Sequence, residues 1–132
     1  MKTVLVWVLF GAATLLFSGC VETPDSPGRV GAIFDDVPVP LGFAMDRQQT
    51  YGHTYPALRV YTQVFRGRTT VESVAEYYKA QMPVNDWTLD SADEASKEKF
   101  KLSYTKDVEI CTVNVYSESI DSTVVKIVIG KK

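Results

Sequence analysis

The 132-residue chain is poor in the residues from which most catalytic and metal sites are built. It has one histidine, His53, and two cysteines, Cys20 and Cys111. A single histidine excludes a His–His metal site and an H-E-x-x-H helix, and any Ser or Cys triad would have to use His53. No glycine-rich loop precedes a helical pattern at phosphate-binding spacing. A dominant charge is also lacking: 14 Lys and Arg face 16 Asp and Glu, a net charge of −2. Without a basic excess to neutralise phosphates, no nucleic-acid partner is expected. Paired carboxylates occur at Asp35-Asp36, at Asp93-Glu94 and around Glu118 and Asp121. They fall at expected termini or turns, where solvation and local hydrogen bonds account for acidic residues. The expectation is a chain with no metal, no cofactor and no catalytic residues.

Long hydrophobic runs are absent except at the start. An uncharged stretch from Thr3 to Gly19 follows Lys2 and ends in Leu16-Phe17-Ser18-Gly19-Cys20. A short positive region, an apolar segment and small residues before a cut are the parts of a secretory signal. As a spanning helix the stretch reaches only the lower edge of the roughly 17–25 residues required. No Lys or Arg follows it until Arg29, so a positive stop-transfer flank is missing. Cysteine directly after Ser18-Gly19 resembles the lipobox of bacterial lipoproteins, with Phe17 where Leu, Val or Ile is usual. The resemblance implies that residues 1–19 are a signal peptide cut before Cys20. It also implies that Cys20 carries diacylglycerol and an acylated amine, so that the membrane is a partner through the lipid anchor. Each buried methylene is worth about 0.8 kcal/mol, and two or more acyl chains make anchoring stable. Val21 stands where Asp often marks inner-membrane retention, so the same resemblance favours the outer membrane, facing the periplasm. Cleavage removes Lys2 and no acidic residue, which leaves a mature net charge of −3.

Residues 20–35 read as the acylated cysteine and a flexible tether, with Pro24, Ser26, Pro27, Gly28 and Gly31 as breakers. Residues 36–132 read as one domain. Pro38 and Pro40 deny alternate ladder donors, so the stretch around them is a lead-in rather than a central strand. A short extended segment is expected over 45–50, and 51–55 is expected as a loop. The first clear strand is 57–66. Thr69, three residues before Glu72, has capping-box spacing, and Val71, Val74, Ala75, Tyr78 and Met82 form one apolar helical stripe that Pro83 stops. Strands follow from Trp87, over 99–105, over 109–117 and over 123–129, with 91–96, 106–107 and 119–122 as turns. One helix can cover one face of such a sheet. The expected fold is therefore α+β, two-layered, with one helix packed on a mainly antiparallel sheet of about five strands. If the strand over 57–66 and the one beginning at Trp87 are parallel neighbours, their helical crossover is right-handed.

Cys111 alternates with Val113 and Val115 and is expected to be a buried, unreactive small hydrophobe facing the helix stripe. Tyr51, His53 and Tyr55 alternate in an extended stretch that would show all three on one side, a candidate partner-binding surface, although sealing of the sheet's second face is the favoured reading of these aromatics. Tyr61 and Phe65 are expected to help seal the less covered sheet face. Arg66, Arg68, Lys99 and Lys101 are expected to solvate an edge and deter edge pairing.

Asp36-Val37-Pro38-Val39-Pro40 with Gly42-Phe43, then Tyr77-Tyr78, Gln81-Met82-Pro83, Trp87 and Cys111-Thr112-Val113, resembles a group of bacterial lipoproteins with no assigned activity. The likeness covers about residues 36–130. Members of that group often carry Gly where Asp86 stands, so a different turn is expected before Trp87. The resemblance bears on the fold, and no catalytic residue is carried over from it. The expected function is that of a membrane-anchored envelope lipoprotein serving as a non-catalytic interaction or structural module, its partner an envelope protein or the cell wall. The alternatives are a cell-wall hydrolase, which needs converging carboxylates, and a small-ligand carrier, which needs an apolar cavity.

Overall fold

A computed structural model of the chain describes residues 34–132. Cys20, the expected signal peptide of residues 1–19 and the expected tether up to residue 33 lie outside the described residues. Seven strands form one antiparallel sheet: β1 (Ala44–Met45), β2 (Tyr51–Tyr55), β3 (Leu58–Gly67), β4 (Thr88–Ser96), β5 (Lys99–Lys106), β6 (Glu109–Ser119) and β7 (Ser122–Lys131). A single helix, α1 (Val71–Val84), joins β3 to β4. The two-layer α+β architecture follows the apolar pattern, but the sheet has seven strands rather than about five. The additional strands are the two-residue β1 and β2, where a loop was expected. The expected turn over 91–96 is likewise the body of β4. Both β2 and β4 are exposed at every residue, so no buried face imprints an alternation on their sequences.

β1 and β2 lie along the outer side of β3, and β7, β6, β5 and β4 follow in that order. β3 and β4 therefore run in the same direction with three strands between them, so the expected condition of adjacency is not met. Pairing places Cys111, Val113 and Val115 opposite Ile129, Ile127 and Val125 on one side, and opposite Tyr104, Leu102 and Phe100 on the other. All nine are buried and form the covered face. Val71, Val74, Ala75, Tyr78 and Met82, the stripe read from the sequence, pack onto it over β4, β5 and β6. Cys111 is 0% exposed, and burial pushes its thiol up to about 12.

The helix is capped by Thr70, not Thr69. Thr70 has extended backbone, and its Oγ1 accepts from the Ser73 amide at 3.3 Å. The C-terminus runs one residue past Pro83. Trp87 N–H donates to the Met82 carbonyl at 3.1 Å and Asp86 N–H to the Pro83 carbonyl at 3.1 Å. These are the two closing bonds of a Schellman motif, and Asp86 occupies its left-handed position at φ 65. The turn before Trp87 thus has the geometry glycine favours, although Asp stands there.

One helix cannot span the whole face, and the lead-in completes the cover. Val37, Val39 and Phe43 are buried in the same core. Tyr77 Oη donates to the Val39 carbonyl at 3.0 Å, which ties the lead-in to α1. At the β3 end, Phe43 lies so close to Gly67 that a Cβ there would come within 2.5 Å of its ring. Phe34, placed by the sequence in the tether, packs edge-on against Tyr61 at 4.8 Å between ring centroids. Tyr61 and Phe65 accordingly lie on the covered face, not the less covered one, and Phe65 is fully buried. Both alternating halves of β3 are apolar, so its sequence does not choose a face; the lead-in does.

Candidate functional site

The opposite face of the sheet buries Thr62, Val64 and Val124 and is open around β2 and the neighbouring Val60 and Val128. Cross-strand partners share a face, so β2 contributes Tyr51, His53 and Tyr55 beside Thr62, Val60 and Leu58 of β3. The three side chains singled out from the sequence are thus brought together on one side, on a strand rather than a loop. His53 and Tyr55 meet edge to face at 4.8 Å between centroids. Tyr51 is 66% exposed, Tyr55 51% and Val60 45%, so these groups leave the second face open instead of sealing it. Val128 and Gly130 of β7 continue the surface, and Gly130 has open space where a Cβ would stand.

The reverse side of β2 is built differently. Gly52 lies opposite Tyr61, and a Cβ on Gly52 would come within 2.4 Å of both the Tyr61 ring and the Val60 carbonyl. Glycine is required there so that the tyrosine can lie across the strand, with its hydroxyl 3.1 Å from Thr54 Oγ1. This contact orients β2, and with it the Tyr51–His53–Tyr55 row.

Sequence reasoning did not find a second feature of the open face. Lys99, Asn114, Tyr116, Lys126 and Val128 line a shallow groove of about 650 Å³, with Ser96 and Glu98 at one end. The signal was the polar half of the alternation over 99–105. Lys99 and Lys101 do not protect an edge, because β5 is flanked by β4 and β6. Arg66 likewise stands on an interior strand, where it pairs with Asp46 and with Glu118 at 3.1 Å. Hydrogen bonds from Arg66 lead in holding Glu118 below the usual carboxylate range.

Asp36 and Glu109, beside the covered core, share the cation Arg59. Arg59 donates to Asp36 at 2.7 and 2.9 Å and to Glu109 at 2.6, 3.0 and 3.2 Å, and its backbone N–H also reaches Glu109. Lys106 Nζ donates to Asp36 at 3.2 Å and to the Asn85 carbonyl at 3.0 Å. Burial would raise the Asp36 carboxyl, but hydrogen bonds and charge from Arg59 and Lys106 outweigh it and hold the group low. Asp93, Glu94 and Asp121 lie exposed on β4 and in the β6–β7 turn.

The chain matches no protein-family model, and comparison with curated proteins and with solved structures likewise returns no match.

Proposed function

We propose that this is a lipid-anchored envelope lipoprotein whose domain is a non-catalytic interaction module, with the open sheet face as its docking surface. The observation that carries the anchoring is Cys20 at the end of the uncharged Thr3–Gly19 stretch, directly after Ser18-Gly19. The anchor is the acylated Cys20, and its place is the outer membrane, facing the periplasm. The docking role is supported by the Tyr51–His53–Tyr55 row, which leaves large polar-tipped aromatics in solvent where a sealed core would hide them. A non-catalytic role is supported by Asp36 and Glu109, both committed to Arg59 in ion pairs. The small-ligand alternative lacks support, because Trp87, Tyr78, Tyr104, Met82 and Leu102 fill the layer between helix and sheet. The test is metabolic labelling of the full chain in a bacterial host with a fatty-acid analogue. The parent chain should incorporate label and lose residues 1–19, whereas Cys20→Ser should do neither. An unlabelled parent chain overturns the anchoring.

A further inference from the structure

The two edges of the sheet are protected to very different degrees. β4, at one edge, carries Asp90, Asp93 and Glu94 and two irregularities of register, between Leu89 and Ser91 and between Glu94 and Ser96. Charges and bulges are the usual devices that keep an edge from pairing with another chain. β2, at the other edge, has none of them. Its five residues, Tyr51-Gly52-His53-Thr54-Tyr55, hold no Asp, Glu, Lys, Arg or Pro, and their ladder with β3 runs without a bulge. Every one of the five is exposed. Among the described residues, nothing pairs with the outer side of this strand.

We propose that the outer edge of β2 pairs with β2 of a second copy of this chain, antiparallel about a two-fold axis through His53. This inference rests on the reading of the domain as an anchored interaction module and names its partner. The choice of a second copy comes from the strand itself. Tyr51 and Tyr55 are equidistant from His53, so a two-fold axis there sets Tyr51 opposite the other copy's Tyr55 on the open face. Gly52 then faces the other copy's Thr54 on the covered side, where both side chains are small and do not obstruct approach. An isologous interface must be self-complementary, and in a chain of net charge −2 it must bring no like charges together. β2 meets both demands, while the three carboxylates of β4 would be set against their own copies. The paired edge would extend the open face into one continuous surface crossed by a row of four tyrosines and two histidines.

A five-residue ladder buries less than the roughly 1,200–2,000 Å² of a stable interface, so the free association is weak. Anchoring both copies in one leaflet supplies the concentration that the contact area does not.

Disulfide trapping tests the pairing, using the full chain in the membranes of expressing cells and again in mild detergent. Directly opposed strand residues have Cα atoms about 4.5–5.5 Å apart, inside disulfide range. His53→Cys should therefore self-crosslink. Tyr51→Cys alone should not, because the axis places its own mate four residues away, roughly 13 Å along the strand. Co-expressed Tyr51→Cys and Tyr55→Cys chains should crosslink to each other. The parent chain and Ser91→Cys, on the opposite edge, set the background, and each bridge is mapped by mass spectrometry. A monomeric His53→Cys chain overturns the proposal, as does Tyr51→Cys crosslinking to itself as readily as His53→Cys. Trapping in detergent is done on purified chain at high concentration, which replaces the concentrating effect of the leaflet, so a failed anchor and a failed interface give different results.

Discussion

Arg59 grips Asp36 through two parallel hydrogen bonds of 2.7 and 2.9 Å, and so joins the irregular lead-in to the first residues of β3. The same guanidinium holds Glu109 at the start of β6 and lies 4.7 Å above the Phe34 ring. One side chain thus fixes three segments that are far apart in sequence. Trp87 adds a fourth, since its Nε1–H donates to the Asp36 carbonyl at 2.9 Å.

Removing that cation leaves Glu109 without its guanidinium and Asp36 with Lys106 alone. Arg59→Met should cost about 2–3 kcal/mol, somewhat below the range for a fully buried pair because water reaches these groups. Urea denaturation of the chain and the variant at neutral pH measures the difference.

The pH dependence has a definite sign. Hydrogen bonds from Arg59 lead in lowering Glu109, and Asp36 is lowered against its own burial. Their unfolded values lie at about 4.3 and 3.9. A depressed folded value means that the unfolded chain binds protons more readily, so the stabilisation is fully present above the unfolded values. It is lost as pH falls through the lower folded ones. The urea midpoint should decline as pH drops below about 4, and Arg59→Met should show a shallower decline over that window.

Cys111 should be silent chemically and felt structurally. Burial pushes its thiol up to about 12, so alkylation of the folded chain should be far slower than in denaturant. Cys111→Ala should cost about 1 kcal/mol. Cys111→Asp should cost much more, because its carboxylate would enter the layer occupied by Tyr78, Tyr104 and Val113. Equal alkylation rates with and without denaturant would show the strand face to be wrongly assigned.

Asp86→Gly should stabilise the chain by about 1 kcal/mol. Asp86 holds φ 65 at the C-terminus of α1, where glycine adopts the left-handed conformation at no steric cost. The carboxylate also sits unfavourably at the negative end of the helix dipole. Thermal melting monitored by circular dichroism checks the direction of the shift.

Gly52→Ala should destabilise by about 2 kcal/mol, since the new methyl meets the Tyr61 ring and the Val60 carbonyl at 2.4 Å. Tyr51→Ser and Tyr55→Ser, on the exposed side of the same strand, should each stay within about 0.5 kcal/mol. Denaturation midpoints of the three variants in detergent, below the concentration at which copies associate, separate the two sides of β2.

Where one face of an element is buried and the other wet, the residues report their own arrangement. The stripe Val71–Met82 and the alternations through Leu102, Cys111 and Ile127 were legible for that reason. So was the grouping of Tyr51, His53 and Tyr55 on one side, because an extended backbone separates alternate residues whatever pairs with it. β2, and the length of β4 beyond the start read at Trp87, were not legible as strand. They are wet along their whole length, and their extended form is imposed by hydrogen bonds to β3 and β5 that leave no mark on hydropathy. Nor could the chain's pattern decide which face of β3 lies inside, since Val60, Thr62 and Val64 alternate with Tyr61, Gln63 and Phe65. That choice came from residues 34–43, which cover the half of the sheet the helix cannot reach. The placing of Lys99 and Lys101 on an interior strand, and of an unprotected edge at β2, depends on strand order. Strand order is set by which long-range pairs bury the most apolar surface together, a property of the assembled sheet and of no single segment.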